Sequence, residues 1–433
     1  MKIVLIAGFS NSEIREHLEL KKDSRLFRQL IKLFHLPARV GEFRDYAPWI
    51  PSIVGFLERQ KDIELHVIGP QIRLKHTIEE FTLRGVTYHF FQSEWTGLMR
   101  KTGNYKLWKH LQRSGHYTKK ILDKVQPDLV VLSGAENPAT SIGILATDLY
   151  PRLCLCQTIY NNPERSQYYT PNRLTQDMEK DIFCQLHYFG VYCKMHYDLL
   201  REFSPGATIF KFGYPSKGRL LQPTIVEKEF DFVNYALMHG SRKGTPDSIQ
   251  ALAIVKKKYP KVKLNIVGGC DSTGLEILKT LVAELGLEEN VVFTSFFEKR
   301  SDLMLHIQKS RFAVLPCKLD HTSGTMNQAM QLGLPLVVYK TTGTPTFNRK
   351  KECVLIAEKG NVEELAQHMI TLISDPAKAV RLKRNAREYQ ELLISEKRKN
   401  GERLMQTFRA IVAYEKNKTP IPQELLFNPD KDD

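Results

Sequence analysis

Short, almost wholly apolar runs alternate with helical patterns along most of this chain. Strands that are apolar on both faces and separated by helices are typical of parallel sheets covered by helices on both sides. In the first half, strands are predicted at residues 2–7, 64–68, 86–91, 128–132, 153–158 and 187–192. Helices are predicted at residues 13–34, 51–60, 107–125 and 195–203. The pattern therefore predicts a doubly wound, Rossmann-like α/β domain over residues 1–215.

The alternation stops in a turn-rich stretch at residues 216–229, which is typical of a linker, and then begins again. Strands are predicted at residues 230–237, 262–267, 291–294, 312–316, 336–339 and 354–357, with a helix after most of them, at residues 246–258, 276–285, 302–310, 324–332 and 362–373. Six such units predict a second Rossmann-like domain over residues 230–375. The basic segment 376–433 is predicted to be helical as far as Lys416 and to pack back toward the N-terminal domain.

Composition excludes several classes of protein. No apolar run approaches the roughly 18 residues that a transmembrane helix needs. The opening run MKIVLIAGF is too short for a signal peptide, and the seven cysteines lack metal-type spacing. We therefore expect a cytoplasmic protein with reduced thiols.

A net charge of +15 indicates an anionic partner, which could be nucleic acid, an anionic membrane surface or a phosphorylated substrate. The densest early cluster lies at residues 101–124, where Leu107, Leu111, Ile121 and Leu122 could form an apolar side. This pattern predicts either a helix that lies on anionic lipid at the inner membrane face or an ordinary solvated helix. Without zinc-finger spacing, an RNA-binding aromatic signature or a strongly basic tail, we expect no nucleic acid partner.

The motif DHTSGTMNQAMQLG, residues 320–333, follows one predicted strand and precedes another. Ser323 is a good helix N-cap, and Gly324 and Gln328 lie four residues apart on one helix face. Free amide groups at such a helix start favour an anion, and Gly324 allows a ligand to approach the backbone. The motif predicts a sugar-phosphate site at the carboxyl end of a parallel strand, with an ordinary strand–turn–helix unit as the alternative.

Two further loops follow predicted strands of the same sheet. In MHGSRKGTP, the cations Arg242 and Lys243 precede a helix, and Gly244 gives the backbone freedom. The loop VGGCDSTG contains Gly268 directly after a strand. Because parallel strands end at one edge of a sheet, we expect all three loops to surround one ligand that carries a diphosphate.

These loops, in this order, resemble those of retaining glycosyltransferases of family 4 over nearly the whole chain. The resemblance implies the GT-B architecture, in which two Rossmann-like domains face each other across a cleft. It implies that the second domain binds a nucleotide-diphosphate sugar, UDP- or GDP-linked. The pair Lys243–Gly244 matches the Lys-Gly pair that contacts the diphosphate in that family. Arg242 is a candidate replacement for an arginine that the family places earlier, where this chain has Met238.

The family signature is two glutamates eight positions apart, the second followed by Ala-Met. Ala329-Met330 aligns with it, and the two glutamate positions hold Asp320 and Gln328. The resemblance implies that Gln328 bonds the ribose and that Asp320 touches the donor sugar as a catalytic candidate. The rest of the predicted donor site comprises Gly268, Phe296, Ser323, Gly324 and Thr325.

The first domain is expected to bind the acceptor. Its loop SGAENPATS holds Ala135 where family members often have a histidine, and it continues with Glu136 and Asn137. Glu136 is a second catalytic candidate, and Asn137, Gly8 and Ser10 are predicted acceptor-binding residues. An ordinary loop turn with an Asn-Pro start is the alternative for the Glu136–Asn137 pair.

The resemblance implies transfer of a sugar to a glycan, a lipid-linked or another acceptor in polysaccharide biosynthesis, with retention of configuration and no protein nucleophile. The second domain has no Asp-x-Asp motif and the chain no His/Cys cluster, so neither a metal ion nor another cofactor is predicted. Gln328 and the absent histidine leave open a non-catalytic sugar-nucleotide or glycan binder. A sugar-nucleotide epimerase on the same architecture is the other alternative.

Overall fold

The structure is a computed structural model that describes residues 1–20, 47, 49–71, 74–92, 103–168, 172–215, 220–270, 272–297, 299–319 and 323–432. It contains two compact units. Unit 1 comprises Met1–Lys217 and Lys397–Asp433, and unit 2 comprises Gly218–Glu396. Each unit is a Rossmann-like α/β domain built on one mainly parallel sheet, as predicted.

The sheet of unit 1 has eight strands in the order β3-β4-β2-β1-β5-β6-β7-β8, and only β3 runs antiparallel to its neighbour. The strands are β1 Lys2–Ile6, β2 Glu64–Gln71, β3 Ile78–Leu83, β4 Val86–Gln92, β5 Leu129–Ser133, β6 Arg152–Leu155, β7 Tyr188–Val191 and β8 Thr208–Lys211. The two edge strands, β3 and β8, were not predicted. The alternation of β3 is that of a partly exposed strand, and β8 is only four residues long.

The described α-helices of unit 1 are α1 Ser12–Glu16, α2 Ile50–Leu57, α3 Tyr105–Leu111, α4 Ser114–Val125, α5 Pro138–Ser141, α6 Arg173–Gln185 and α7 Lys194–Phe203. The helix predicted at residues 13–34 is wrong at residues 17–20, because α1 already ends at Glu16, and residues 21–34 lie outside the described residues. The single helix predicted at residues 107–125 is wrong. The backbone of Gln112 is extended between α3 and α4, and its side chain accepts a hydrogen bond from the Gly115 amide at 2.7 Å.

The apolar side predicted for that helix is also wrong. Ile121 and Leu122 on α4 are buried in the core of unit 1, while Leu107 and Leu111 on α3 are exposed. The apolar residues of α4 already cover the sheet, and they are therefore not available to a membrane. Among the described residues, no helix is both long and apolar enough to cross a bilayer.

The sheet of unit 2 has six parallel strands in the order β11-β10-β9-β12-β13-β14. They are β9 Phe230–Met238, β10 Leu264–Gly269, β11 Val291–Thr294, β12 Ser310–Leu315, β13 Leu336–Tyr339 and β14 Leu355–Ala357. The described helices are α8 Thr245–Lys258, α9 Ser272–Glu284, α10 Arg300–Ile307, α11 Gly324–Gln331, α12 Val362–Ser374 and α13 Pro376–Asn417, which continues into unit 1. All six predicted strands and all five predicted helices are confirmed, with bounds shifted by a few residues.

Alternate residues of these strands enter two cores, one on each face of the sheet. Phe232, Leu264 and Phe312 belong to one core, and Val233, Ala313 and Val338 to the other. Burial on both faces explains why the strands are apolar throughout, and it leaves the carboxyl edge of the sheet to the loops that carry polar residues.

Candidate functional site

The first loop of unit 2 is pressed against the end of a neighbouring strand. After β9, the chain makes a 3₁₀ turn at Ser241–Lys243 and enters α8 through Gly244. Gly244 has φ +65°, and a Cβ atom there would lie 2.1 Å from the Pro316 carbonyl oxygen, just beyond β12. Only glycine fits this position, so the backbone fixes where the two cations of the loop lie.

Arg242 and Lys243 are half-buried at this edge. The Lys243 ammonium donates to the Cys317 Sγ at 3.6 Å, and the Arg242 carbonyl accepts from the Lys318 amide at 2.9 Å. Lys318 itself forms an ion pair with Asp247 at 2.8 Å. The cationic loop therefore lies beside the segment that leads from β12 to α11.

Helix α11 begins as predicted. The Ser323 hydroxyl accepts from the Met326 amide at 3.2 Å and bonds the Thr325 hydroxyl at 2.8 Å. The amides of Gly324 and Thr325, in the first turn, have no acceptor within the helix. A Cβ on Gly324 would meet no atom of the described residues within 4 Å, so the described part of the chain leaves the space above this helix start open. The Tyr235 hydroxyl donates to the Thr325 carbonyl at 2.6 Å and ties the helix to β9.

The polar side chains of α11 differ in their hydrogen bonds. Asn327 and Gln331 bond the buried side chain of Gln390 at 2.7 and 3.2 Å. Gln328 is half-buried, and its side chain makes no hydrogen bond within the part of the chain that the structure describes. The side-chain amide of Gln328 is therefore available to form a hydrogen bond with a ligand. Asp320, the other signature position, lies outside the described residues.

The other two predicted donor residues have different surroundings. Gly268 has φ +134°, and a Cβ there would lie 1.8 Å from the Ala236 carbonyl oxygen, so this glycine lets β10 approach β9 closely. Phe296, beyond β11, is 53% exposed at the same edge of the sheet.

His239 joins these loops and was missed in the sequence. Its Nε2 donates to the Val267 carbonyl at 3.0 Å, and its Nδ1 bonds the Thr245 hydroxyl at 2.9 Å. Burial lowers the pKa of His239, the Val267 carbonyl opposes that shift, and the nearby charge of Lys243 adds to it. A neutral ring thus holds the loop that carries Arg242 and Lys243 against β10. His239 belongs to the motif MHGSRKGTP, but a single histidine in a sequence is not by itself a signal for a functional residue.

In unit 1, the first loop meets the loop after β5. A Cβ on Gly8 would lie 2.7 Å from the Thr140 Oγ1 and 3.7 Å from the Asn137 Nδ2. Asn137 is exposed, so the predicted pair of Gly8 and Asn137 does share one edge. Ser10 is buried, and its hydroxyl accepts from the Arg15 guanidinium at 2.8 Å. Its hydroxyl therefore already has a structural partner.

Glu136 lies at the same edge in an unusual state. Burial raises its pKa to about 7, the negative charge of Glu179 adds to the shift, and Arg165 opposes it. Within the described residues, its buried Oε2 atom has no hydrogen-bond partner. Glu179 was missed because it lies inside α6. Burial raises its pKa to about 7 as well, although the amides of Tyr160 and Asn161 each donate to it at 2.7 Å.

Three hydroxyls of the same region, those of Ser133, Thr140 and Tyr214, are buried without a hydrogen bond of good geometry among the described residues, although Ser133 and Tyr214 lie close enough to interact with each other. Buried polar groups are normally hydrogen-bonded, and such a concentration of exceptions indicates a place for water or a hydroxyl-bearing ligand.

Comparison with known proteins identifies the second unit. Residues 223–389 match the family model described as "Glycosyl transferases group 1". The match lies within unit 2, and it covers less than half of the chain. The match covers the three loops described above and the start of α11.

Curated proteins are similar to this chain over a limited region. An "Uncharacterized glycosyltransferase" of Haemophilus influenzae is 28% identical over 137 residues, 31% of this chain and 37% of that protein. A "GDP-mannose-dependent alpha-(1-6)-phosphatidylinositol monomannoside mannosyltransferase" of Mycolicibacterium smegmatis is 26% identical over 145 residues, 32% of this chain. In both cases the match spans 37% of the relative's length.

Solved structures show a likeness in fold over nearly the whole chain. Sucrose-phosphate synthase from Thermosynechococcus elongatus has a TM-score of 0.66 at 16% identity, covering 95% of this chain and 99% of its own. The Anabaena protein HepE in complex with UDP-glucose has a TM-score of 0.61 at 13% identity, covering 94% and 100%. The fold is therefore that of GT-B proteins, with two Rossmann-like domains.

Proposed function

We propose that this chain is a nucleotide-sugar-dependent glycosyltransferase that retains the anomeric configuration. The observation that carries the proposal is the position of Lys243, whose ammonium lies 3.6 Å from Cys317 on the segment that leads to the open start of α11. A cation and two free amides at one edge of a parallel sheet suit a diphosphate. The donor is UDP- or GDP-linked, in keeping with the ligands named for HepE and for the mycobacterial relative.

The residues of this edge contact different parts of the donor. Lys243, with Arg242, stabilises the negative charge that grows on the leaving diphosphate, and the amides of Gly324 and Thr325 add hydrogen bonds to it. His239 positions the cationic loop. Gln328 holds the ribose hydroxyls, and Asp320 contacts the donor sugar.

In the transfer step, the bond between the anomeric carbon and the diphosphate oxygen breaks, and the acceptor oxygen bonds that carbon on the same face. The acceptor's proton passes to the released diphosphate. Glu136, at the edge of unit 1, contacts the hydroxyl-bearing acceptor, which is a glycan or a lipid-linked saccharide. This step uses only groups of the chain and of the two substrates.

The first experiment is a ligand-stabilisation screen across UDP, GDP and ADP. A ligand at about 100 times its Kd raises the free energy of unfolding by about 2.7 kcal/mol. The matching sugar nucleotide is then supplied with candidate acceptors, and release of free nucleoside diphosphate is measured.

Acceptor-dependent release supports the transferase. Tight binding without release under any acceptor supports the non-catalytic binder, which the unbonded neutral side chain of Gln328 would also suit. Conversion of the sugar without release supports an epimerase. If no nucleoside diphosphate stabilises the chain, the donor site itself is wrong.

A further inference from the structure

A second basic cluster, on unit 2, differs from the one noted in the sequence at residues 101–124. It consists of the loop 349–352 and the first turns of α13, residues 376–388, and we call it the unit 2 basic surface. These 17 residues carry eight basic and two acidic side chains, a surplus of six positive charges. The surplus is still four when the flanking acids Asp375 and Glu391 are counted.

The loop and the helix form one continuous surface. Glu352 lies 3.3 Å from Lys378 and 3.5 Å from Arg381, and its carbonyl accepts from the Asn385 amide group at 2.9 Å. Glu388 lies 2.6 Å from Lys351 and 3.9 Å from Arg384. Two acidic side chains thus form ion pairs with four basic ones. These pairs hold the loop against the helix and leave the surface with a net positive charge.

The remaining side chains add to the charge. Lys350 and Lys383 are exposed, and no carboxylate of the described chain pairs with either. Arg387 is held by the Gln331 carbonyl at 2.8 Å and lies 3.7 Å from Glu391. Val380 is 68% exposed on the same helix face as Arg384, so the cations surround an apolar side chain that no neighbour covers.

The cluster at residues 101–124 lacks these properties. Lys109, Lys119 and Lys124 pair with Asp181, Asp123 and Glu80 at 2.6, 2.8 and 2.9 Å. The apolar residues of α4 are buried in the core. Half of the six Lys and Arg residues described in this segment are therefore paired with acids of unit 1, and its apolar residues are not available to a membrane.

We propose that the unit 2 basic surface is a docking surface for an anionic lipid bilayer. A cluster of four to eight Lys and Arg on a helix face is the pattern that binds anionic head groups. The exposed valine among the cations suits the interfacial layer beneath them. This proposal goes beyond sugar transfer, and it stands on surface charge alone.

The test is sedimentation of the full chain with vesicles of phosphatidylcholine, with and without phosphatidylglycerol. Binding is expected only when phosphatidylglycerol is present, and it should disappear near 1 M salt, where the Debye length is about 3 Å. The triple variant Lys350→Ala, Arg381→Ala, Arg384→Ala should weaken vesicle binding on the order of a hundredfold, since each cation near an anionic surface contributes about fivefold.

A matched control makes the same change of charge elsewhere. The variant Lys106→Ala, Lys119→Ala, Lys120→Ala removes three exposed lysines of unit 1 and is expected to bind vesicles about as well as the unchanged chain. Circular dichroism and nucleoside diphosphate binding, measured for both variants, separate loss of the surface from loss of the fold or of the donor site.

Three results would overturn the proposal. Equal binding to neutral and anionic vesicles would mean that charge does not drive it. Equal weakening by the two triple variants would mean that only net charge matters. Tighter binding to soluble heparin than to vesicles of equal charge concentration would identify a polyanion as the partner.

Discussion

The carboxyl edges of the two sheets have opposite chemistry. The edge of unit 2 presents Arg242, Lys243 and the first-turn amides of α11, which have no acceptor within that helix, whereas the edge of unit 1 buries Glu136 and Glu179. The first suits a multiply charged anion and the second a neutral ligand with hydroxyl groups. Two Rossmann-like domains therefore present edges of different chemistry because the loops that follow their strands carry different residues.

The largest expected effect tests whether the unit 2 edge depends on its close backbone contacts. Gly268→Ala should lower the free energy of unfolding by about 3 kcal/mol, because its Cβ would lie 1.8 Å from the Ala236 carbonyl oxygen at φ +134°. Chemical denaturation measures this. Gly324→Ala is the control, and it should leave stability nearly unchanged because no atom of the described residues lies within 4 Å of its Cβ. A Gly268→Ala protein as stable as its parent would show that the two strands can separate at low cost.

The pH dependence of stability tests the buried acids of unit 1. The pKa of Glu136 and that of Glu179, both about 7, exceed their ordinary value of 4.5, so the folded chain keeps protons that the unfolded chain releases. Their contribution to stability is fully present below pH 4.5 and is lost as the pH rises toward 7.

Glu136→Gln should therefore flatten this decline. It should also raise the free energy of unfolding near pH 8 by about 1–3 kcal/mol, since a neutral amide replaces a buried charge. Denaturation at a series of pH values measures both. The exposed Glu227→Gln serves as control and should change neither. An unchanged slope for Glu136→Gln would mean that this carboxyl is solvated in the folded chain.

The variant Lys243→Ala tests whether the edge of unit 2 binds an anion. It should cost about 1.5–3 kcal/mol in affinity for a nucleoside diphosphate and little for the nucleoside, because the ammonium faces the phosphates. Calorimetric titration with both ligands measures the difference. Lys340→Ala, which removes an exposed lysine paired with Glu358 at 2.7 Å, is the control. Equal losses for nucleoside and diphosphate would place Lys243 away from the phosphates.

Gln328 gives the smallest expected effect. Gln328→Leu should reduce donor affinity by about 1–2 kcal/mol, because ribose hydroxyls lose a partner, and it should hardly change stability. Gln328→Glu should be tolerated. The neighbour Asn327→Leu should do the opposite, lowering stability without affecting the donor, because Asn327 bonds the buried Gln390 at 2.7 Å. Loss of stability in Gln328→Leu with donor affinity intact would make Gln328 a packing residue.

Sequence patterns predicted the unit 2 strands well because each is buried on both faces, so apolar residues are required throughout. They failed at β3 and β8, which lie at the edges of their sheet. They also joined α3 and α4 into one helix. The break at Gln112 depends on a side-chain hydrogen bond to Gly115 that helical periodicity does not encode.

By itself, the sequence determined the α/β class, the two Rossmann-like domains, the loop that holds Lys243 and the helix that begins after Ser323 and carries Gln328, because apolar periodicity and helix capping are local patterns in the chain. Only the tertiary structure decided the state of Glu136, the role of His239 and the charge surplus around Arg381. Each of these depends on groups far away in sequence, such as Glu179, Val267 and Glu352, and electrostatic energies follow distance in space.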